Sequence, residues 1–312
     1  MDSSRLRYAL LILTFPMYCA SCSSLASHKD LEDLEKYELT GAVQYMEEKF
    51  YYPKDPAALP DSSHFNLAED FRFTGKQQMH FSEKGLLVEH KFFQSTFLSW
   101  QMFFDELGVI KDGTYYNAEQ EMTEYVKLSY DQAGNPQRQT WYNKDSISFR
   151  EKLFVYNDRR QKLEEKYGNK KITKFTYSYD SAGREIERET YFDEVLSTKR
   201  IKTYNRKGKL STRLAYSADG TLLWEENFEY RNNKLYRKEV SDHAKAVSRI
   251  YQYNPSGHLS EVTVRTQGGD DKIKRYEKWM YEYDEQGNWT RRLHYVNDDL
   301  QELKTRAIEY RQ

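Results

Sequence analysis

Apolar and polar residues alternate with a period of two along much of this 312-residue chain. Phe175, Tyr177 and Tyr179 are separated by single polar residues, and Val126 and Leu128 show the same spacing. Successive side chains of a β-strand point to opposite faces of a sheet, so this spacing predicts strands. Helical amphipathic spacing is absent from these segments.

Short turns of one kind separate the predicted strands. Eight times an aromatic residue precedes a four-residue segment that begins with Asp, Asn or Ser and ends in glycine. The first side chain can hydrogen-bond the backbone two residues on, and the glycine takes the positive φ that follows a type I turn. Such turns join antiparallel strands. The turn glycines are Gly85, Gly108, Gly134, Gly183, Gly208, Gly220, Gly257 and Gly287.

The aromatic residues before these turns recur about every 25 residues, which is enough for two strands and their connections. The sequence therefore predicts an all-β fold with a short N-terminal helical segment. The β part, residues 71–312, is expected to be an extended antiparallel meander of hairpin repeats, curled or solenoid-like. Its last strand, near Thr305 to Tyr310, is expected to be a free edge.

Composition favours a thin sheet over a thick globular core. Charged residues make up 31% of the chain and aromatic residues 15%, with 27 tyrosines. Cross-strand Tyr, Thr and Lys–Glu pairs can stabilise such a sheet by about 0.2–1 kcal/mol each.

Two segments resemble a known repeat. Tyr177 to Arg184 reads Tyr-Ser-Tyr-Asp-Ser-Ala-Gly-Arg, and Tyr281 to Asn288 reads Tyr-Glu-Tyr-Asp-Glu-Gln-Gly-Asn. Both resemble the Tyr-Asp (YD) repeat of bacterial Rhs proteins, and Tyr251 to His258 is a weaker copy. The resemblance implies β-sheet shells or spirals and a link to carbohydrate binding. The chain is short and shows no toxin-like domain after the repeats, so a shell around a toxin is not expected.

The N-terminus predicts an address in the cell envelope. Arg5 and Arg7 precede an apolar stretch from Tyr8 to Tyr18, which suits a secretory signal and is too short to span a bilayer. The following Cys-Ala-Ser-Cys resembles a bacterial lipobox. That resemblance implies a lipoprotein signal peptide over residues 1–21, acylation at Cys22 with fatty acids such as palmitate, and anchoring in the outer membrane of a diderm bacterium. The alternative is a secreted protein cut nearby by ordinary signal peptidase.

Residues 22–70 are predicted to form a helix and a proline-containing linker. Leu31, Leu34, Val43, Met46 and Phe50 make a patchy helical stripe, and prolines follow it. This helix is expected to cap the first edge of the sheet or to act as a stalk, with partner binding as the alternative.

Composition and motifs argue against several classes of chemistry. Both cysteines lie within the first 22 residues, so no internal disulfide or catalytic thiol is expected. The formal net charge of −1 gives no basic field for nucleic acid.

The histidines lack metal-ligand spacing, although His80 and His90 would face each other across the hairpin at Gly85. Residues 268–271 read as a loop insertion, with calcium binding as the alternative. The chain is therefore expected to be non-enzymatic, with no cofactor and no bound metal.

Aromatic side chains are the candidate binding residues, because a row of them on one face could stack sugar rings. These candidates are Trp141, Trp279, Tyr281, Tyr283, Trp289 and Tyr295. The first functional hypothesis is a lipid-anchored protein whose repeat sheet binds an unknown envelope protein or glycan. The alternative is a structural or assembly spacer that docks to another envelope component, and a glycan-acting enzyme is a distant third.

Overall fold

Twenty antiparallel strands form the protein in a computed structural model, which describes residues 37–55, 66–105, 110–159, 161–168, 171–266 and 272–312. One short helix, α1 (Leu67–Asp70), precedes the second strand. The strands are β1 (Val43–Pro53), β2 (Phe71–Phe81), β3 (Leu87–Gln94), β4 (Phe97–Phe104), β5 (Ile110–Tyr116), β6 (Met122–Tyr130), β7 (Pro136–Asn143), β8 (Ser148–Tyr156), β9 (Lys162–Tyr167), β10 (Lys171–Tyr179), β11 (Glu185–Phe192), β12 (Val195–Tyr204), β13 (Leu210–Ser217), β14 (Leu222–Arg231), β15 (Lys234–Asp242), β16 (Val247–Tyr253), β17 (Leu259–Thr266), β18 (Ile273–Tyr283), β19 (Trp289–Val296) and β20 (Asp299–Tyr310).

The sheet closes into a barrel, so the predicted open or solenoid-like meander is wrong. Each strand pairs with its neighbours in sequence, and β1 also pairs with β20, from Val43 opposite Tyr310 to Tyr51 opposite Leu303. The segment from Thr305 to Tyr310, expected to be a free edge, therefore lies between two strands. Closure leaves no unpaired edge, which in an open sheet would invite pairing with other chains.

The segment that closes the barrel was assigned to a helix from its sequence, and this part of the prediction is also wrong. Val43, Met46 and Phe50 have helical spacing, but Met46, Glu48 and Phe50 also alternate as in a strand. Residues 43–53 form β1, in which both edges find partners in β2 and β20. Two ladders of main-chain hydrogen bonds outweigh the weak local helical preference.

The two ends of the barrel differ in their turns. We call one end the glycine rim, because the Asp/Asn/Ser–Gly turns follow the even-numbered strands there. In each of these turns that the structure describes, the glycine has a positive φ, for example +77° at Gly134 and +76° at Gly183, and its N–H donates to the carbonyl three residues before. The other end, the variable rim, carries connections of differing length, and among the predicted turn glycines in the described residues it holds Gly220 alone.

Tyrosine hydroxyls complete the ladders near the glycine rim. Between successive hairpins the ladder stops before the rim, and a carbonyl two residues beyond the last pair is left without a strand partner. A tyrosine hydroxyl from the next strand donates to it, which satisfies a buried acceptor. The pairs are Tyr130 to Ile110 at 2.9 Å and Tyr177 to Lys162, Tyr204 to Glu185 and Tyr281 to Leu259, each at 2.7 Å.

The two faces of the barrel wall differ in enclosure. The register places Met46, Glu48 and Arg306 on one face with Met79, and these side chains are buried. We take this as the inner face, since side chains crowd on the concave side of a curved sheet. The described strands pack mainly on their ladder neighbours. Twenty strands make a ring wide enough for a water-filled interior.

Candidate binding site

A depression lies in the inner wall near the variable rim, where β1 approaches β18, β19 and β20. Its volume is about 580 Å³. Polar and charged side chains make up most of its lining, and an aromatic ring stands at one side. The lining residues are Tyr52, Arg275, His294, Val296, Asn297, Asp299, Gln301 and Glu302.

One of the lining residues, His294, is stacked on Trp279. Trp279 and His294 are direct cross-strand partners, and their rings are parallel, with centroids 4.4 Å apart and an interplanar angle of 7°. Glu277 fixes the imidazole, because its carboxylate lies 2.9 Å from His294 Nε2. Arg275 Nε lies 2.7 Å from the other oxygen of the same carboxylate. The indole is therefore held in one orientation by an ordered polar support.

Charged groups form a network behind the depression. The Glu302 carboxylate lies 3.5 Å from both Arg292 and Lys304, and Arg306 Nε donates to Glu48 at 2.7 Å. Burial lowers the pKa of Lys304, with the positive charge of Arg292 acting in the same sense. Burial favours the neutral form of Glu48, but the positive charges of Arg306 and Lys304 hold its pKa below the usual value. The network keeps the wall polar and rigid.

Three of the predicted binding aromatics lie near the glycine rim, where their polar groups already have hydrogen-bond partners within the barrel. Trp289 is fully buried, its Nε1–H donates to Glu38 at 2.8 Å, and the Arg306 guanidinium lies 3.4 Å from its ring centroid. The Tyr281 hydroxyl caps a main-chain carbonyl, as described above. The Tyr283 hydroxyl accepts from Asn254 Nδ2 at 2.9 Å. These side chains hold the barrel together, and Trp279 alone of this group stands beside the depression.

The other two predicted aromatics lie elsewhere. Trp141 is on the inner wall of β7, far around the ring, where it packs with Met102 and Val126. Tyr295 is on the outer face against a cluster that includes Leu293. The six aromatics therefore do not form one surface. Cys22, the signal peptide, Gly108 and the loop at 268–271 lie outside the described residues.

Sequence reasoning missed the polar partners of Trp279. Arg275, Glu277 and His294 were not distinguishable from the many other charged residues by type alone. The sequence signal that could have found them is the register of the hairpin at Gly287. Counting away from this turn along both strands pairs Trp279 with His294 only if one residue is added for the β-bulge beside Tyr283. Within the described ranges, no three His, Cys, Asp or Glu side chains come together as metal ligands. No helix in the same ranges is long and apolar enough to cross a bilayer.

Comparison with known proteins gives neighbours of low similarity. No known protein family matches the sequence, and no curated protein matches it. A porin-like protein from Bacteroides uniformis shares 10% identity over 86% of this chain and 98% of its own, with a TM-score of 0.35. The TcdB2–TccC3 toxin complex shares 11% identity over 74% of this chain and 14% of its own, with a TM-score of 0.34. The Tc holotoxin pore of Photorhabdus luminescens shares 13% identity over 81% of this chain and 15% of its own, also with a TM-score of 0.34. At these TM-scores the likenesses carry no functional argument.

Proposed function

We propose that this chain is a non-enzymatic envelope protein whose barrel binds a glycan at the inner wall. The observation that carries the proposal is the Trp279–His294 stack beside a concave, polar depression. Sites for small polar ligands combine an aromatic surface with a few fixed hydrogen-bonding groups. A sugar ring has apolar C–H faces that pack on an indole and hydroxyls that bond to side chains such as Tyr52 and Glu302.

The envelope address rests on residues 1–22 alone. Their basic start, short apolar stretch and Cys-Ala-Ser-Cys sequence support export and lipid anchoring at Cys22. Acyl chains on this cysteine would tether the barrel at the glycine rim, where β1 begins. A glycan of the envelope could then enter from the variable rim.

Oligosaccharide binding tests the proposed site. The purified protein is screened on an oligosaccharide array, and hits are measured by isothermal titration calorimetry. Trp279→Ala is expected to weaken binding at least about tenfold, or about 1.4 kcal/mol, because the sugar loses its stacking surface. Met280→Ala is the control, since Met280 is the next residue of β18, points outwards and is exposed to solvent. Unchanged affinity in Trp279→Ala, or an array without hits, would contradict the proposal.

An assembly role is the second candidate, and the variable rim favours it. Large apolar side chains are exposed there, including Val195 at 69%, Ile147 at 62% and Ile273 at 59% relative exposure. Exposed apolar groups concentrated in one region are typical of protein contacts. An array without hits, together with one stoichiometric partner crosslinked through this rim in native membranes, would favour the spacer role.

A further inference from the structure

One row of side chains crosses the inner wall from β10 to β14. The register places Tyr177, Arg188, Arg200, Ala215 and Trp224 opposite one another in turn. Arg188 and Arg200 are thus direct cross-strand partners on the enclosed face. Like charges placed directly opposite each other destabilise a sheet. The pair therefore costs stability unless something compensates its charge.

The next pair along the same strands shows how this barrel compensates such a cost. Lys202 and Arg213 are also cross-strand partners. Lys202 Nζ lies 2.8 Å from Glu185, and the Arg213 guanidinium bonds to Glu226. Both carboxylates of this part of the wall are thereby used.

Arg188 and Arg200 have no ion pair of this kind, although the charges of Glu226 and Glu185 act on Arg200 from a greater distance. Across the described residues, no carboxylate lies within ion-pair distance of either guanidinium. The Nε atoms of both are buried without a hydrogen-bond acceptor. Burial and the positive charges of Arg188 and Arg213 lower the pKa of Arg200, and the negative charges of Glu226 and Glu185 oppose this shift only in part. A guanidinium stays protonated at neutral pH. Two adjacent positive charges with unused donors therefore face the interior.

An aromatic side chain lies next to the arginine pair. Ala215 separates Arg200 from Trp224 in the row and is buried beneath its neighbours, so the long side chains on either side of it form the surface. The Arg200 guanidinium lies 5.7 Å from the Trp224 ring centroid, so an aromatic surface borders the pair. Arg188 and Arg200 are half-buried and remain accessible from the interior.

We propose that Arg188 and Arg200 form a binding site for a tetrahedral oxyanion, the phosphate or sulfate group of a ligand in the barrel interior. Two guanidinium charges match a dianion, and charge-assisted hydrogen bonds from the unused donors satisfy its oxygens. The organic part of such an ester would pack on Trp224. This site is six to seven strands from Trp279 and does not rest on the proposed glycan site.

Titration with inorganic phosphate and with sodium sulfate tests the site. Calorimetry and thermal unfolding are run at constant ionic strength, with chloride as the reference salt. In R188Q/R200Q, phosphate affinity is expected to fall at least about tenfold, because the charge-assisted bonds are lost. The anion-free double variant should unfold at the same or a higher temperature than the wild type, since the repulsion has been removed.

Arg138→Gln is the control for the single variants, because Arg138 lies on the outer face, 3.4 Å from Glu151, and its substitution removes one positive charge, as R188Q and R200Q each do. Phosphate and sulfate stabilise many proteins by exclusion from their surface, so the difference between wild type and variant is the readout. Should the double variant not fold, R188Q and R200Q are measured singly, and each must lower the affinity. Tighter binding of phosphate assigns a phosphoryl group, and tighter binding of sulfate assigns a sulfate ester. Equal anion binding by wild type and variants, or none by wild type, would overturn the proposal.

Discussion

At the scale of single residues, His90 shows how the inner wall controls ionisation. Its Nε2 lies 3.0 Å from Gln77 Oε1, and its ring meets the edge of Trp100 at a centroid distance of 4.7 Å. Burial lowers the pKa of His90 from 6.5 to about 4, although the negative charge of Glu48 opposes the shift. The folded protein therefore keeps this imidazole neutral at pH values where the unfolded chain is protonated.

This difference predicts a loss of stability in mild acid. Between pH 6.5 and about 4 the unfolded state binds the additional proton, so the free energy of unfolding falls as the pH falls through this window. The shift corresponds to about 3 kcal/mol. His90→Gln should remove this part of the pH dependence, as measured by urea unfolding at pH 4 to 7. His80→Gln, on the outer face, is the control and should keep it. Superimposable profiles for His90→Gln and wild type would contradict the assignment.

The same histidines show why a register is hard to predict from a turn. His80 and His90 lie five residues on either side of Gly85 and were predicted to face each other. The observed register pairs His80 with Glu89 and Met79 with His90, because a β-bulge beside Phe81 adds one residue to the second strand. One added residue moves a side chain to the other face of a sheet. His80 therefore lies outside and His90 inside. The turn was recognisable because glycine and a hydrogen-bonding side chain mark it locally, whereas the bulge has no such mark.

At the scale of elements, consecutive hairpins are joined by side chains of the glycine rim. Turn residues pack on the aromatic of the following repeat: the Arg184 guanidinium lies 4.5 Å from the Tyr204 ring centroid, and Lys209 Nζ lies 5.0 Å from that of Tyr230. Together with the tyrosine-to-carbonyl bonds, these contacts replace the main-chain pairs that the ladders lack there. They explain the abundance of tyrosine, whose ring packs while its hydroxyl donates.

Removal of one such hydroxyl should measure its contribution. Tyr204→Phe leaves the Glu185 carbonyl without its donor and is expected to destabilise the barrel by about 1 kcal/mol. Tyr142→Phe is the control, because Tyr142 stacks on Tyr125 at the outer face and its hydroxyl has no partner among the described residues. Urea unfolding measures both. A similar, negligible loss in the two variants would show that the carbonyl bond does not contribute.

At the scale of the whole molecule, the sequence predicted strands and turns but not closure. The period of two and the turn glycines are local signals, and they locate most hairpins. The pairing of β1 with β20 joins the two ends of the described chain and leaves no local pattern. The helical spacing of Val43, Met46 and Phe50 concealed the strand that makes the pairing possible. For the same reason the sequence did not show that the six candidate aromatics lie on different parts of the wall, because curvature and register decide which side chains face a common space.

Closure can be tested by crosslinking across the seam. Lys49 and Thr305 are register partners in β1 and β20. In a protein beginning at Ser23, which has no native cysteine, Lys49→Cys with Thr305→Cys should form a disulfide upon mild oxidation, because paired residues have suitable geometry. Lys49→Cys with Thr140→Cys, far around the ring on β7, should not. Non-reducing electrophoresis and peptide mapping detect the bond. Absence of the first crosslink would contradict the pairing of β1 with β20.

The order in which the strands are synthesised has a consequence for how this protein folds during translation. Of the described strands, β1 is made first and β20, one of its two partners, is made after all the others. Until β20 has been synthesised, the growing sheet has two unpaired edge strands that can pair with another nascent polypeptide. Pairing of strands so distant in sequence also makes barrel closure slow, because the chain loses conformational entropy before the new hydrogen bonds form. Premature termination within β20 consequently yields an aggregating fragment rather than a smaller ring.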